Sequence, residues 1–275
     1  MNAGDVSAQV HDLGRKADDS TTLDHGVRVG IVAYGIMHLL IAWVALQLAF
    51  GDRQGTADTQ GALSQLAQTP LGGVLLYVVA GGFAALVLWQ ATEVLAGHRE
   101  DQGAKRLGKR VVSAAKLVVY AFLGWSALKI AVGGGSDGDQ TDTITAKVMI
   151  LPGGQLLVAL AGLTVLGIGL ALIYRGLSEG FMDKLQTAGQ VGRTGKTFVA
   201  LGKAGHVAKG LAFMAVAGLL LWAAWTHDPQ KSGGLDQALT KVLQQPFGTP
   251  MLVALGAGIA CYGLFAFAWA RHLDR

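Results

Sequence analysis

Five ionisable side chains interrupt stretches that are otherwise almost wholly apolar: His38, Glu93, Lys116, Arg175 and Lys209. Charged groups placed in lipid are costly, and they persist where they pair, line a pathway or move protons. Glu93, in Trp89-Gln90-Ala91-Thr92-Glu93, lies four residues before Gly97, about 6 Å from the end of its run at the rise of a helix. Lys116 lies six residues beyond Arg110, about 9 Å in, and Lys209 holds the same place in a later copy of the pattern. With depths so matched, the Glu93 carboxylate is expected within hydrogen-bond reach of Lys116, Lys209 or Arg175, with Lys116 favoured because its helix follows directly after one short loop. The set reads either as a structural ion pair with snorkelling lysines or as a proton or solute site. His38, ten residues beyond Arg28 and so about 15 Å deep, has the chemistry of a proton relay. Its repeat equivalents are Tyr120 and Phe213, and a position that accepts any flat ring reads as packing. Tyr34, Tyr120, Tyr174 and Tyr262 read as packing or interfacial aromatics, and Cys261 as a small buried hydrophobe.

Other chemistries are absent. Gly195-Lys196-Thr197 resembles the end of a phosphate loop, but Gln190 stands where the first glycine belongs and no buried strand precedes it. Gly256-x-Gly258 lacks the third glycine of a dinucleotide loop and lies in a helical run. No zinc-protease HExxH occurs, and the letters GxSxG at Gly134–Gly138 and Gly176–Gly180 each follow a long apolar helical run instead of the strand that a serine elbow needs. The single cysteine makes no internal disulfide, and no Cys/His spacing suggests a metal site. No metal, cofactor, nucleotide or nucleic acid is therefore expected, and catalysis is not the expected role.

The elements that carry these side chains are long apolar runs. The chain has 275 residues, 52% hydrophobic and 15% charged, with 40 glycines; a soluble domain carries about a quarter charged residues. Six stretches reach the roughly 20 residues that a bilayer-spanning helix needs: Val29–Phe50, Leu71–Ala96, Val111–Val132, Gln155–Leu177, Ala204–Thr226 and Pro250–Ala270. The polar N-terminus does not read as a cleavable signal peptide; the first run is expected to direct insertion and stay in the bilayer. Fifteen loop Lys and Arg fall on the side of the termini and four on the other. The positive-inside rule then puts both termini in the cytoplasm of a multi-pass inner-membrane protein.

The runs repeat. Arg28-Val29, Arg110-Val111 and Lys203-Ala204 open equivalent helices, and Pro70, Pro152 and Pro246 precede the second helix of each unit. Under those offsets Ala33, Ala115 and Ala208 coincide, as do Tyr34, Lys116 and Lys209, and Trp43 falls on Trp125. Each unit is a helix, a polar linker, one short amphipathic helix ending at the proline, and a second helix. In Gly61–Pro70 the residues Leu63, Leu66 and Ala67 share a helix face that is expected to lie in the interface. Gly72, Gly154 and Gly248 serve the sharp turn that follows, and Gly81, Gly82, Gly256 and Gly258 are expected at close helix contacts.

The segments Gln60-Gly61-Ala62-Leu63…Leu66-Ala67…Pro70-x-Gly72 and Leu235-Asp236-x-Ala238-Leu239…Gln245-Pro246-Phe247-Gly248, with Tyr174-Arg175-Gly176 closing the middle unit, resemble a bacterial membrane family. It is catalogued as domain of unknown function twelve-oh-six. The resemblance spans nearly everything after residue 27 and implies three two-helix repeats, with no activity attached. The middle unit departs most: Thr143-Ile144-Thr145-Ala146-Lys147-Val148 keeps the proline but loses the Ala-Leu pattern.

The expected fold is all-α, a six-helix transmembrane bundle of three parallel helical-hairpin repeats around a pseudo-threefold axis. The expected organisation is a polar cytoplasmic segment 1–27, repeat 1 over 28–97, a basic loop 98–109, repeat 2 over 110–177, a linker 178–202 and repeat 3 over 203–275. Two functions stay open: a non-catalytic scaffold, accessory or partner- or lipid-binding protein, and a carrier or channel for a small solute, ion or lipid. The expected partners are the lipid bilayer and a membrane protein or a second copy of the chain.

Overall fold

The computed structural model describes residues 21–52, 55–95, 97, 103–135, 141–182 and 192–273. Parts of the expected N-terminal segment, basic loop and linker (1–20, 98–102 and 183–191) lie outside them, as does Arg275. The described residues form α1 (Thr21–Ala49), α2 (Thr59–Ala67), α3 (Gly72–Leu95), α4 (Gly103–Ala131), α5 (Thr141–Met149), α6 (Gly154–Leu177), α7 (Gly192–Thr226), α8 (Leu235–Leu243) and α9 (Gly248–Arg271). A 3-10 turn, Pro229–Lys231, precedes α8. Helices α1, α3, α4, α6, α7 and α9 are long and apolar enough to span a bilayer, so the chain is a six-helix membrane bundle of three tandem hairpins.

The sequence repeat reappears as repeated geometry. After each short helix the chain turns through one hydrogen bond: Gly72 N to Thr69 O (2.9 Å), Gly154 N to Leu151 O (2.8 Å) and Gly248 N to Gln245 O (2.8 Å). A Cβ at Gly72, Gly154 or Gly248 would lie 2.0, 1.9 or 2.1 Å from the carbonyl oxygen of Leu66, Val148 or Leu243. These glycines thus serve the turn by letting backbone meet backbone. The left-handed conformation falls one residue earlier, at Gly153 (φ 73°) and Phe247 (φ 62°).

The short helices α2 and α8 occupy cyclically equivalent places. Helix α2 packs on α1, α3 and α4; α8 packs on α7, α9 and, across the ends of the chain, α1. Asp236 of α8 accepts a 2.7 Å hydrogen bond from the Ala57 amide beside α2, so both lie at one end of the bundle. Helix α2 buries Ala62, Leu63 and Leu66, and α8 buries Ala238 and Leu239. Helix α5 lacks that Ala-Leu face. Thr145 is its one buried residue among those described, and it packs on α6 and the 3-10 turn without reaching α4.

The spanning helices form a ring with one open side. Packing runs α4–α3–α1–α9–α7–α6, and α4 and α6, the two members of the middle hairpin, do not pack on each other. The reason can be read by repeat position. In repeat 1 a Cβ on Gly30 would lie 2.5 Å from Gly82 O and 2.5 Å from Leu86 Cγ. In repeat 3 a Cβ on Gly205 would lie 2.6 Å from the Tyr262 backbone, and one on Gly258 2.3 Å from Ala208 Cβ. Two hairpins therefore close through small residues on both helices. The equivalents in repeat 2 are Val112 for Gly30 and Gly205, and Thr164 for Gly82 and Gly258. Where these larger side chains stand, the close approach of the other two hairpins is missing. Val112 is 53% and Ile168 44% exposed, and Ala115 and Thr164 are exposed with them. Of the glycines expected at helix contacts, Gly82, Gly256 and Gly258 are there, but Gly81 has open space where its Cβ would stand; it faces a groove between α3 and α4.

Candidate functional site

Lys209 of α7 lies on the interior of the ring. Its ammonium donates to the Tyr34 hydroxyl and approaches His38 Nε2 at 3.0 Å. His38 Nδ1 lies 2.8 Å from the Tyr34 carbonyl. A carbonyl only accepts, so Nδ1 carries the proton, and a neutral ring turns its Nε2 lone pair toward the ammonium. The Lys209 nitrogen also lies 4.7 Å and 4.2 Å from the Tyr34 and Tyr262 ring centres, a cation–π arrangement that can contribute about 2 kcal/mol when desolvated. The Tyr34 ring stands 5.8 Å from Tyr120, 6.1 Å from Tyr262 and 6.4 Å from Phe83. Helices α1, α3, α4, α7 and α9 thus each send a side chain to one point. Tyr34 and Lys209 are repeat equivalents, and equivalent positions of different repeats meet only near the axis that relates them.

One turn before Lys209, His206 extends the cluster toward the basic end. Its ring is stacked on Phe181 at 4.9 Å and lies 5.0 Å from Tyr262. Its Nδ1 lies 2.8 Å from the Gly202 carbonyl, so it too presents Nε2. Toward the other end the interior is apolar: Met37, Ile41, Ala45 and Leu48 of α1, Leu123, Ala127 and Ile130 of α4, and Leu252, Leu255 and Ile259 of α9 form one buried cluster. At the depth of that cluster the buried Gln60 side chain donates to Ser126 Oγ, between Leu123 and Ala127 of α4, at 3.1 Å. The polar cluster therefore ends beneath an apolar plug.

The structure divides the five side chains singled out from the sequence. His38 and Lys209 come together. His38 does more than pack, because its ring holds the lysine. Lys209 is committed to Tyr34, His38 and Tyr262 and does not serve Glu93. Lys116 lies within electrostatic reach of both Glu93 and Arg175, and all three side chains are partly buried. Lys116 and Lys209 are equivalent in sequence yet differ in surroundings. Lys209 sits in an aromatic cage inside the packed part of the ring, and Lys116 stands at the unpacked middle hairpin. Arg175 donates to Gly180 O at 3.3 Å, while its Nε is buried with no hydrogen-bond partner.

Tyr34, Tyr262 and His206 complete the cluster and were not candidates from the sequence. The signal for Tyr34 was its equivalence to Lys209, and for His206 its spacing three residues before Lys209, one helix face. Tyr174, by contrast, is 74% exposed. Among the described residues no three His, Cys, Asp or Glu side chains gather into a metal-binding group.

The pattern of a family described as Domain of Unknown Function (DUF1206) matches the chain three times, over residues 29–97, 111–179 and 204–272. A relative from Bacillus subtilis (strain 168), described as uncharacterized protein YxxB, is 29% identical over 244 residues, covering 87% of each chain. No solved structure matches.

Proposed function

We propose, from the premise that this chain belongs to the DUF1206 family, whose description assigns no activity, that it is a non-catalytic membrane protein that binds lipid or a membrane partner on the open side of its middle repeat. The observation that carries this reading is the interior itself: the polar groups around Lys209 stop at the apolar cluster of α1, α4 and α9. Selective passage is built on polar or charged linings, and among the described residues the polar groups gather at one side of that apolar cluster. The Lys209 cluster instead ties repeat 1 to repeat 3 and holds the ring together where the hairpins close. Proteoliposomes containing the protein should pass protons and small anions no faster than empty vesicles, as read by entrapped dyes. A flux that depends on the protein and disappears in Lys209→Met would overturn this reading and favour a carrier. The observation on the carrier's side is that Lys209 has no carboxylate partner among the described residues.

The basic end of the bundle is proposed to face the cytoplasm, on the strength of the fifteen-to-four division of loop Lys and Arg. With Cys261 replaced, single cysteines near Arg106 and Arg193 should resist an impermeant thiol reagent in intact cells. Cysteines near Asp58, Asp139 and Lys231 should react. Labelling of the Arg106 loop from outside would reverse the orientation.

A further inference from the structure

We infer that the gap between α4 and α6 is a binding site for one anionic phospholipid of the leaflet at the basic end, with its phosphate between Lys116 and Arg175. The inference deepens the proposed function by naming the occupant of the open side.

Three independent observations converge on it. The first is the missing interface. The positions that close the other hairpins, Gly30 with Gly82 and Gly205 with Tyr262, are held here by Val112, Thr164 and Ile168, and these are exposed together with the neighbouring Ala115. These residues leave an apolar slot along the middle hairpin, and an acyl chain is the bilayer component whose shape and chemistry suit such a slot. The second is that the short helix roofing the other hairpins does not roof this one, because α5 fails to reach α4. The slot is therefore unroofed at the end opposite the charges.

The third is charge. Arg175 follows Thr164 by eleven residues and Ile168 by seven on α6, spacings that keep all three on one helix face. Lys116 follows Val112 by four and adjoins Ala115 on α4. Two cations thus stand near the basic end on the helix faces that carry these residues, within electrostatic reach of each other. Like charges brought together at the edge of lipid repel, and a phosphate between them turns that repulsion into two attractions. Glu93 offsets one positive charge, and Arg106, Lys109 and Arg110 in the first turns of α4 restore the excess. Lys116 lies six residues beyond Arg110 on α4, about 9 Å, and Arg175 two residues before the end of α6, about 3 Å, expected depths at or just below headgroup level. A second copy of the chain fits less well, because an isologous contact would set the same two cations against themselves.

The test uses the full-length protein in phosphatidylcholine nanodiscs, titrated with phosphatidylglycerol carrying a photoreactive acyl chain, with crosslinked peptides mapped. Crosslinks should fall on α4 and α6 around Ala115 and Ile168, and saturate. Lys116→Gln and Arg175→Gln should each weaken phosphatidylglycerol binding about fivefold, and together about twenty-fivefold, the value of roughly one lipid-facing charge each. Glu93→Gln should strengthen it about fivefold, a gain that a merely structural role for Glu93 does not produce. Ala115→Trp, at an exposed position that tolerates bulk, should fill the slot and remove the crosslink while leaving thermal stability in phosphatidylcholine unchanged. Equal labelling by the phosphatidylcholine analogue, unsaturable labelling, or displacement by millimolar inorganic phosphate would overturn the assignment. So would crosslinks between two copies of α4 or α6, which favour a protein partner. The last outcome would leave the proposed function standing, whereas protein-dependent flux would remove the proposed function itself.

Discussion

Gly205→Leu should prevent the bundle from forming, while Gly81→Leu, an identical change in another spanning helix, should be tolerated. At Gly205 even a Cβ would lie 2.6 Å from the backbone nitrogen and Cα of Tyr262. Backbone cannot rotate away as a side-chain tip can, so α7 and α9 must separate. Overpacking of this kind costs about 3 kcal/mol or more, and here it also pulls Tyr262 away from the Lys209 ammonium. At Gly81 nothing stands within 4 Å, and the new side chain faces a groove between α3 and α4. The two variants can be compared by monodispersity and thermal unfolding in the same detergent. Equal behaviour of the pair would mean that α7 and α9 do not pack as described.

The second large effect concerns the cage around Lys209. Tyr34→Phe removes the hydroxyl that accepts from the ammonium, and His38→Leu removes the ring nitrogen 3.0 Å away. Each change should cost about 1 to 2 kcal/mol, the upper range for polar contacts between membrane helices. The double variant should cost about 3 kcal/mol or more, because a buried cation then keeps only aromatic faces. Adding Lys209→Met should recover most of that loss, since the stranded charge is gone while the volume is kept. A thermodynamic cycle over these variants isolates the coupling. If Lys209→Met is as damaging in the double-variant background as alone, the lysine acts through something other than Tyr34 and His38.

Much of the architecture was legible because lipid imposes strong patterns. Apolar runs longer than a strand and a lopsided loop charge follow from the bilayer, and three prolines whose spacing matches that of the helix starts follow from the repeat; together they place six helices and their register. The site was less legible. The matched depths left Lys116, Lys209 and Arg175 all open as partners of Glu93, with Lys116 favoured, because depth along a helix says nothing about direction around it. Lys209 faces the interior with Tyr34, and Lys116 stands beside the gap, although the two are equivalent by repeat. The failure of threefold equivalence was visible at the short helix Thr141–Met149. Its cause, Val112 and Thr164 standing where the other repeats carry Gly30, Gly205, Gly82 and Gly258, becomes meaningful only once those glycines are seen touching a neighbour. A small residue inside an apolar run marks a close contact in one place and a bare surface in another, as Gly82 and Gly81 illustrate.

The unpacked middle hairpin also divides the molecule in a way the repeats do not. Helices α1, α3 and α4 make one slab and α6, α7 and α9 another. Between them the connection from α4 to α6 serves as a tether, and the seam of α1 against α9, reinforced by Arg28 reaching the carbonyls of Ala270 and Arg271 at 3.0 and 2.8 Å, serves as the spine of a book. The mechanical halves break the chain inside repeat 2, so the unit that is copied in sequence is not the unit that would swing. Any widening of the fore-edge pivots on the first and last helices, which places the lever arms at the centre of the chain and the fulcrum at its two ends.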